Sequence, residues 1–592
     1  MSSLRFINFE LGEHKFSSFQ YTHLLCGRTV PQPLRQIFSL IRSHNCELLV
    51  EEVLSFDKSN TPKETNVLNE VHKTKNIFIQ HRVRNNSLEA TVYRLSFFVG
   101  RSDLEGQPQF ATYWKDRQKR GVEAQKQFAN WYDKFLGYVY LVVFSFDGTI
   151  YHSYIYEAVI EPPVTNPERY YVHSKASFSE TVAGQQVTVD GAYFAQQNQA
   201  NSCCAHAAVM VARQNTLTAI NGRNYSPLSD YESMNTDLGI DHDWRKAPNG
   251  LEVEEMLRLL ETHVSSLHHD IYFTNRISPK AIIEFTYHAV EAGLTPVLCF
   301  EGYDGGHTMA VVGHTFEASV WTALAEHTYF EGPRVERGYK PSHTWVDGLI
   351  VQDDNFGPYT MLPTRYLLNA LTQAIIPKFK WSKQPTPAVI EICAERGLRA
   401  ACWPKNYKND HANPGAKYDY LFKVIRKKCP QPRSNFWFYQ LEDNVRRGSF
   451  VLRTIPITLK EYLDSLLSDK ILHKEHNYDI FQCIESAIRT TNGKDTMLWL
   501  VEISIPELFQ HNNRKLGEVI IQERDKEPWC NVVRLPGLFV FRNDSDRCTC
   551  YGVSDPRAQY HCGLFRHFGN SRIRKYVISN ELDSDLNTEV KQ

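Results

Sequence analysis

Five residues, Gly302-Tyr303-Asp304-Gly305-Gly306, constrain this chain more than any other feature. They join two apolar strand signals, 295–301 and 307–316. A connection this short permits antiparallel pairing and little else. The second strand opens on His307, and a third strand signal at 347–352 ends in Asp353 and Asp354. Upstream lie a strand signal at 185–195 and helix signals at 203–215, 251–263 and 279–292. Gly293 follows the last of these as a C-terminal stop should. The reading is an α+β domain over 181–380.

The flanks read as separate α+β regions. Residues 1–180 carry strand signals at 88–99, 137–146 and 150–160, the last two flanking Asp147-Gly148, a hairpin turn pair. A charged stretch at 114–135 favours helix, and 161–168 (EPPVTNPE) reads as a linker. Residues 381–592 form an α/β or α+β region. There Thr458 and Glu461 make a T-x-x-E capping box ahead of Tyr462, Leu463, Leu466 and Leu467. Strands are expected at 497–505, 518–521 and 537–542. A chain of 592 residues with no fixed-period repeat fits roughly two to four domains.

Charge and cysteine usage narrow the partners. Sixty-six Lys+Arg against 67 Asp+Glu give no electrostatic case for nucleic acid. No apolar run reaches the roughly 20 residues that span a bilayer, and the first residues lack a signal-peptide pattern. Thirteen cysteines with no even-spaced framework read as reduced thiols. The expectation is a cytoplasmic protein without membrane partners and without a cofactor. No P-loop, dinucleotide fingerprint or H-E-x-x-H is present. Cys548, Cys550, His561 and Cys562 fit no zinc-module spacing and are read as ordinary thiols and a histidine, so no metal is expected.

The chemistry begins where the amide-rich loop 196–201 runs into an Ala-rich helix signal. Ser202 is a good N-cap, which puts Cys203 and Cys204 in the first helical turn. A helix N-terminus favours thiolate over thiol, and the thiolate is the nucleophile of acyl transfer. Gln197, with Gln196 and Gln199 as alternatives, could donate to an oxyanion. His307 can take and return the thiol proton. Asp354 or Asp353 could accept the imidazole N–H and fix its tautomer.

The order Gln…Cys…His…Asp resembles the papain-like cysteine peptidase superfamily. Ser202-Cys203-Cys204-Ala205 resembles its S-C-W-A, and the Gln197-to-Cys203 spacing equals its oxyanion-glutamine spacing. Gly306-His307 with the following Met-Ala-Val-Val-Gly resembles its histidine strand, and Asp354-Asn355-Phe356-Gly357 its N-S-W-G. The resemblance covers about a third of the chain. It implies a helix carrying the cysteine, packed on an antiparallel sheet carrying His307 and Asp354. It also implies cleavage of a peptide or protein amide bond through a thioester. The sequence departs from the pattern at Cys204, where an aromatic is usual, and by about thirty inserted residues, 315–344.

Alternatives stay open. The N-cap and glutamine spacing favour Cys203, whereas C-A-H-A resembles the C-A-G-Y of staphylococcal papain-like enzymes and favours Cys204. The N-S-W-G match favours Asp354, and the two aspartates are expected on opposite faces of the strand. His206 and His314 are expected to be structural, His314 on the opposite face from His307. Segment 315–344 is a candidate lid. The expected function is a cysteine peptidase or isopeptidase acting on a protein or peptide, with a regulatory protein partner possible. The same residues suit an amidase, deamidase or acyltransferase, or an inactive interaction protein built on a remnant of the fold.

Overall fold

The structure is a computed structural model. It describes residues 5–8, 31–41, 46–53, 68, 71, 88–100, 132–146, 149–163, 170–182, 185–197, 204–221, 234, 251–262, 267–302, 305–315, 339–379, 386–402, 436–468, 483–484, 487–488, 496–511, 514–524, 527–542, 548–551 and 565–566. The architecture is mixed α+β, built on three seven-stranded sheets.

The first sheet is antiparallel throughout. It comprises β1 (Arg5–Asn8), β2 (Cys46–Val53), β3 (Glu89–Gly100), β4 (Tyr132–Phe146), β5 (Thr149–Ile160), β7 (Ala176–Val182) and β8 (Gln185–Phe194), in the order β1-β2-β3-β4-β5-β8-β7. β4 and β5 form the hairpin expected around Asp147-Gly148, Phe146 pairing with Thr149, although the two turn residues lie outside the described set. Alternation along β4 splits its apolar residues between two cores. Tyr138, Tyr140, Val142 and Phe144 face one cluster. Leu136, Val139, Leu141 and Val143 face another, with Leu34, Ile37 and Ile41 of helix α1 (Gln32–Ile41).

The central sheet runs β14-β13-β11-β10-β15-β9, with short β6 (Tyr170–Val172) also on β11. Its strands are β9 (Leu267–Phe273), β10 (Val297–Gly302), β11 (Gly305–Thr315), β13 (Gly348–Asp353), β14 (Gly357–Pro363) and β15 (Leu371–Phe379). Helix α2 (Cys204–Asn221) is buried from Ala205 to Thr218. It is lodged between layers, with polar Arg213, Gln214 and Asn215 buried along with its apolar residues. On its flanks, Val297, Cys299, Ala310 and Ile375 of the central sheet meet Tyr138, Tyr140 and Tyr193 of the first. The opposite face of the central sheet carries Leu298, Phe300, Met309 and Val311 against Ile282, Tyr287 and Val290 of helix α4 (Pro279–Glu291). Helix α3 (Val253–Glu261) adds Val253, Met256, Leu259 and Leu260 to the α2 core. Gly293, at φ +77°, ends α4 as expected, with Leu294 N–H donating to Ala289 O and Gly293 N–H to Val290 O.

The third sheet is β12 (Lys340–Pro341), β16 (Val451–Thr458), β17 (Met497–Ser504), β19 (Gly517–Arg524), β20 (Glu527–Leu535), β21 (Leu538–Arg542) and β22 (Cys548–Tyr551); β18 (Arg514–Lys515) pairs with β23 (Phe565–Arg566). The capping box closes at helix Leu459–Ser468: Thr458 N–H donates to Glu461 at 2.8 Å, and Glu461 N–H to Thr458 Oγ1 at 3.1 Å. Tyr462, Leu463 and Leu466 then cover one face of this sheet.

Several expectations change. The division at 180/181 falls inside β7, and β8, beyond that point, pairs with β5. β6, from before it, pairs with β11. The change in sequence character there marks the chemistry, not a break in the sheet. Of the helix expected at 114–135, residues 132–135 open β4 and the rest lie outside the described set. Of segment 315–344, residues 316–338 also lie outside it. Its end is buried, β12 pairing parallel with β16. Among the described residues, no helix is long and apolar enough to cross a membrane. Cys548 and Cys550 lie on β22; His561 and Cys562, like Ser202, lie outside the described set.

Candidate active site

Three segments converge at the head of α2. Strand β8 ends at Phe194, and Gln196 then ties the chain to β5. Its side-chain Oε1 accepts from Ile155 N–H at 2.9 Å, and its own N–H donates to Ile155 O at 3.1 Å. Gln196 is thus buried structure and not an oxyanion donor. Cys204 is the first residue of α2 and half-buried, its thiol 3.9 Å from Gly306 O. Cys203, like Gln199, lies outside the described residues. The thiol is near enough to the neighbouring His307 ring to raise its affinity for a proton.

His307 sits two residues into β11, paired across the ladder with Phe300. Its Nε2 lies 3.2 Å from Asp353 Oδ1 and 3.8 Å from Asp354 Oδ1. With Nε2 turned to the carboxylates, Nδ1 is the nitrogen left for the thiol. The two aspartates do not point to opposite faces. β13 ends at Asp353, the ladder shifts register between Val351 and Asp353, and Asp354 lies in the turn, where alternation no longer applies. Asp353 is the better placed. Its Oδ1 also accepts from Asn355 N–H at 2.9 Å and Phe356 N–H at 3.3 Å, which fixes the carboxylate in its own turn. Among the described residues, no other residue hydrogen-bonds the side-chain oxygens of buried Asp354.

The electrostatics follow from these contacts. Burial lowers the His307 pKa, but hydrogen bonds to Asp353 and Cys204, with the charges of Asp353 and Asp354, override it and push the ring up to about 10. These contacts favour the protonated ring. Burial, the largest influence on Asp354, pushes its carboxyl up to about 7; the nearby His307 charge opposes this and Asp353 adds to it. Cys299, behind the site, is a buried thiol pushed up to about 11 by burial.

Residues not singled out in the sequence hold the acidic turn in place. Gln352 accepts from Tyr359 N–H at 3.0 Å and donates to Tyr193 O at 3.2 Å. The Tyr359 hydroxyl donates to Ile160 O at 2.6 Å and accepts from Ala192 N–H at 2.8 Å. Tyr359 adopts φ +56°, a left-handed conformation that costs roughly 1–2 kcal/mol for a residue with a Cβ. Its two hydroxyl bonds offset that cost. Gly357, at φ +122°, lets α1 come close, since a Cβ there would meet Gln36 Cβ at 2.8 Å. Gln197 reaches the same turn, its Nε2 donating to Asn355 Oδ1 at 3.3 Å. The structure thus brings Gln197, Cys204, His307, Asp353 and Asp354 into one neighbourhood. His206 is buried in α2, and His314 lies in a different cluster, against Glu291.

One histidine and two carboxylates within ligand reach of each other could also hold a metal ion, as could two buried or half-buried histidine–glutamate groups elsewhere: His173, Glu291 and His314, and Glu284, His288 and His343. What separates the His307 group from these is the thiol beside it. No family model, curated protein or solved structure matches the chain.

Proposed function

We propose that the chain is a papain-like cysteine hydrolase that cleaves a peptide or protein amide bond. One observation carries the reading. Cys204 heads a buried 18-residue helix and meets an imidazole whose other nitrogen faces Asp353. A histidine held as an imidazolium is the counter-ion a thiolate needs. The helix N-terminus adds its own positive end.

Cys204 Sγ attacks the substrate carbonyl, and the tetrahedral oxyanion forms beside the Cys204 N–H, one of the donors a helix start leaves unpaired. Gln197 is the side-chain donor on the approach. His307 gives its proton to the leaving amine, so that the C–N bond breaks and a thioester remains. It then takes a proton from water as that water attacks the thioester, which releases the acid and restores the thiolate–imidazolium pair. Asp353 holds the ring throughout. The nucleophile in this reading is Cys204, seven residues after Gln197, where the sequence comparison had favoured Cys203.

The test is an electrophilic thiol probe with mass-spectrometric mapping. Cys204 should carry the label, and Cys204→Ser or His307→Ala should abolish it. Undiminished labelling and turnover in both variants would refute the reading. Mass analysis of products separates backbone cleavage from a change confined to a side-chain amide.

A further inference from the structure

We propose that His173, His314 and Glu291 form a structural binding site for a divalent transition-metal ion of the zinc kind, separate from the candidate active site. His173 directly follows β6, His314 lies in β11, and Glu291 ends α4. Their side chains are only 5%, 3% and 3% exposed. His314 Nε2 lies 3.2 Å from His173 Nε2 and 2.6 Å from Glu291 Oε1, and His173 Nε2 lies 3.6 Å from that same oxygen. A triangle with these sides has its centre about 1.9 Å from each corner, just inside a zinc–ligand bond of roughly 2.0–2.2 Å. An ion slightly off the plane therefore meets all three atoms. The two rings converge on it: their centroids are 5.1 Å apart, but their Nε2 atoms only 3.2 Å.

Proton placement points the same way. His314 Nδ1 lies 3.0 Å from Thr315 O, and a carbonyl oxygen only accepts. The ring proton therefore sits on Nδ1, as it does in a metal-ligating histidine whose second nitrogen is tied to a backbone carbonyl. A neutral His314 then turns a bare Nε2 lone pair on a carboxylate oxygen at 2.6 Å, which repels. An ion at the centre turns that clash into two bonds and gives His173 Nε2 a third. A second proton on His314 would satisfy Glu291 but would leave His173 with no more than a share of one hydrogen. Glu291 Oε2 is meanwhile paired with Arg453 of β16, so the carboxylate is held from behind. An ion here would tie edge strand β6, β11 and α4 together, and through Glu291 reach the third sheet.

The experiment uses the full chain, purified without an affinity metal and analysed by elemental mass spectrometry. About one zinc per chain is expected, retained in His307→Ala and in a Cys548→Ser/Cys550→Ser double variant, and lost in His314→Gln. Because His314→Gln could fail to fold, the wild type is also stripped with a chelator and titrated with Zn²⁺ and Co²⁺. Zinc should raise its melting temperature by ~5 °C or more. Cobalt should give the visible bands of a low-symmetry nitrogen–oxygen site. Retained zinc that follows His307 instead of His314 would overturn the proposal. So would a wild type that binds neither ion and melts unchanged, leaving His314 an imidazolium paired with Glu291. The second outcome leaves thiol labelling at Cys204 untouched, and undiminished labelling in Cys204→Ser would leave zinc at His314 untouched, so the two proposals fail independently.

Discussion

Two histidine–carboxylate clusters sit on β11, one near each end, and they behave in opposite ways. His307 is 25% exposed, faces two aspartates and is pushed up to about 10. His173, in the cluster of His314, is sealed and pushed down to about 3, burial being the main cause; Glu291 opposes it, and His314, Arg453 and Lys175 add to it. Burial lowers both rings. The difference lies in what else shares the carboxylate. Asp353 is held by backbone N–H groups and lends its charge to one ring, whereas Glu291 divides its charge between Arg453 and two imidazoles. A histidine meant to move protons needs the first arrangement, and one meant to hold something still suits the second.

The sharpest way to break this contrast is to remove the thiol. Cys204→Ser should lower turnover by about 10³-fold or more, with Cys203→Ser near wild type, as measured on a labelled peptide library. An equal loss in Cys203→Ser with Cys204→Ser unaffected would relocate the nucleophile. Asp353→Asn should cost roughly 10²–10⁴-fold. It should also move the alkaline limb of the pH profile downward, because the carboxylate that keeps His307 protonated towards pH 10 is gone. An unmoved limb would return the orienting role to Asp354. Gln197→Ala should lower kcat by about 10²-fold with little change in KM, the signature of a donor that acts on the transition state.

The smallest effect concerns stability. The Asp354 carboxyl is raised above its ordinary value in the fold, so its stabilising contribution is complete below the ordinary carboxylate range and is lost as pH rises through about 7. Melting temperature should therefore fall between about pH 4 and pH 7, by the equivalent of no more than a few kcal/mol, and level off above that. Asp354→Asn should flatten that slope; an unchanged slope would assign it to another group.

How far the sequence anticipates all this depends on range. Features set within a few residues are legible: the turn before His307, the Gly293 stop, the Thr458–Glu461 box and the hairpin at 147–148. His307 stands out because its glycine neighbours and strand have few rivals. The choice between Asp353 and Asp354 is not legible, since it turns on where β13 stops and on a register shift against β14. Gln352 and Tyr359 carry no local signal, because their partners, Ala192, Tyr193 and Ile160, lie some 160 to 200 residues away in sequence. His173 is hidden for the same reason, 141 residues from His314.

The pairing of β5 with β8, and of β6 with β11, has a consequence for how this molecule can be cut or recombined. A single nick between Ile160 and Tyr170 would yield two polypeptides that stay clasped by the β5–β8 ladder and migrate as one species until denatured. Conversely, a fragment that starts at residue 181 would leave behind the partner of β8 and the anchor of Tyr359, and would carry its cysteine on a helix stripped of half its cover. The first sheet and the central sheet are therefore one unit, which a cut at residue 181 divides.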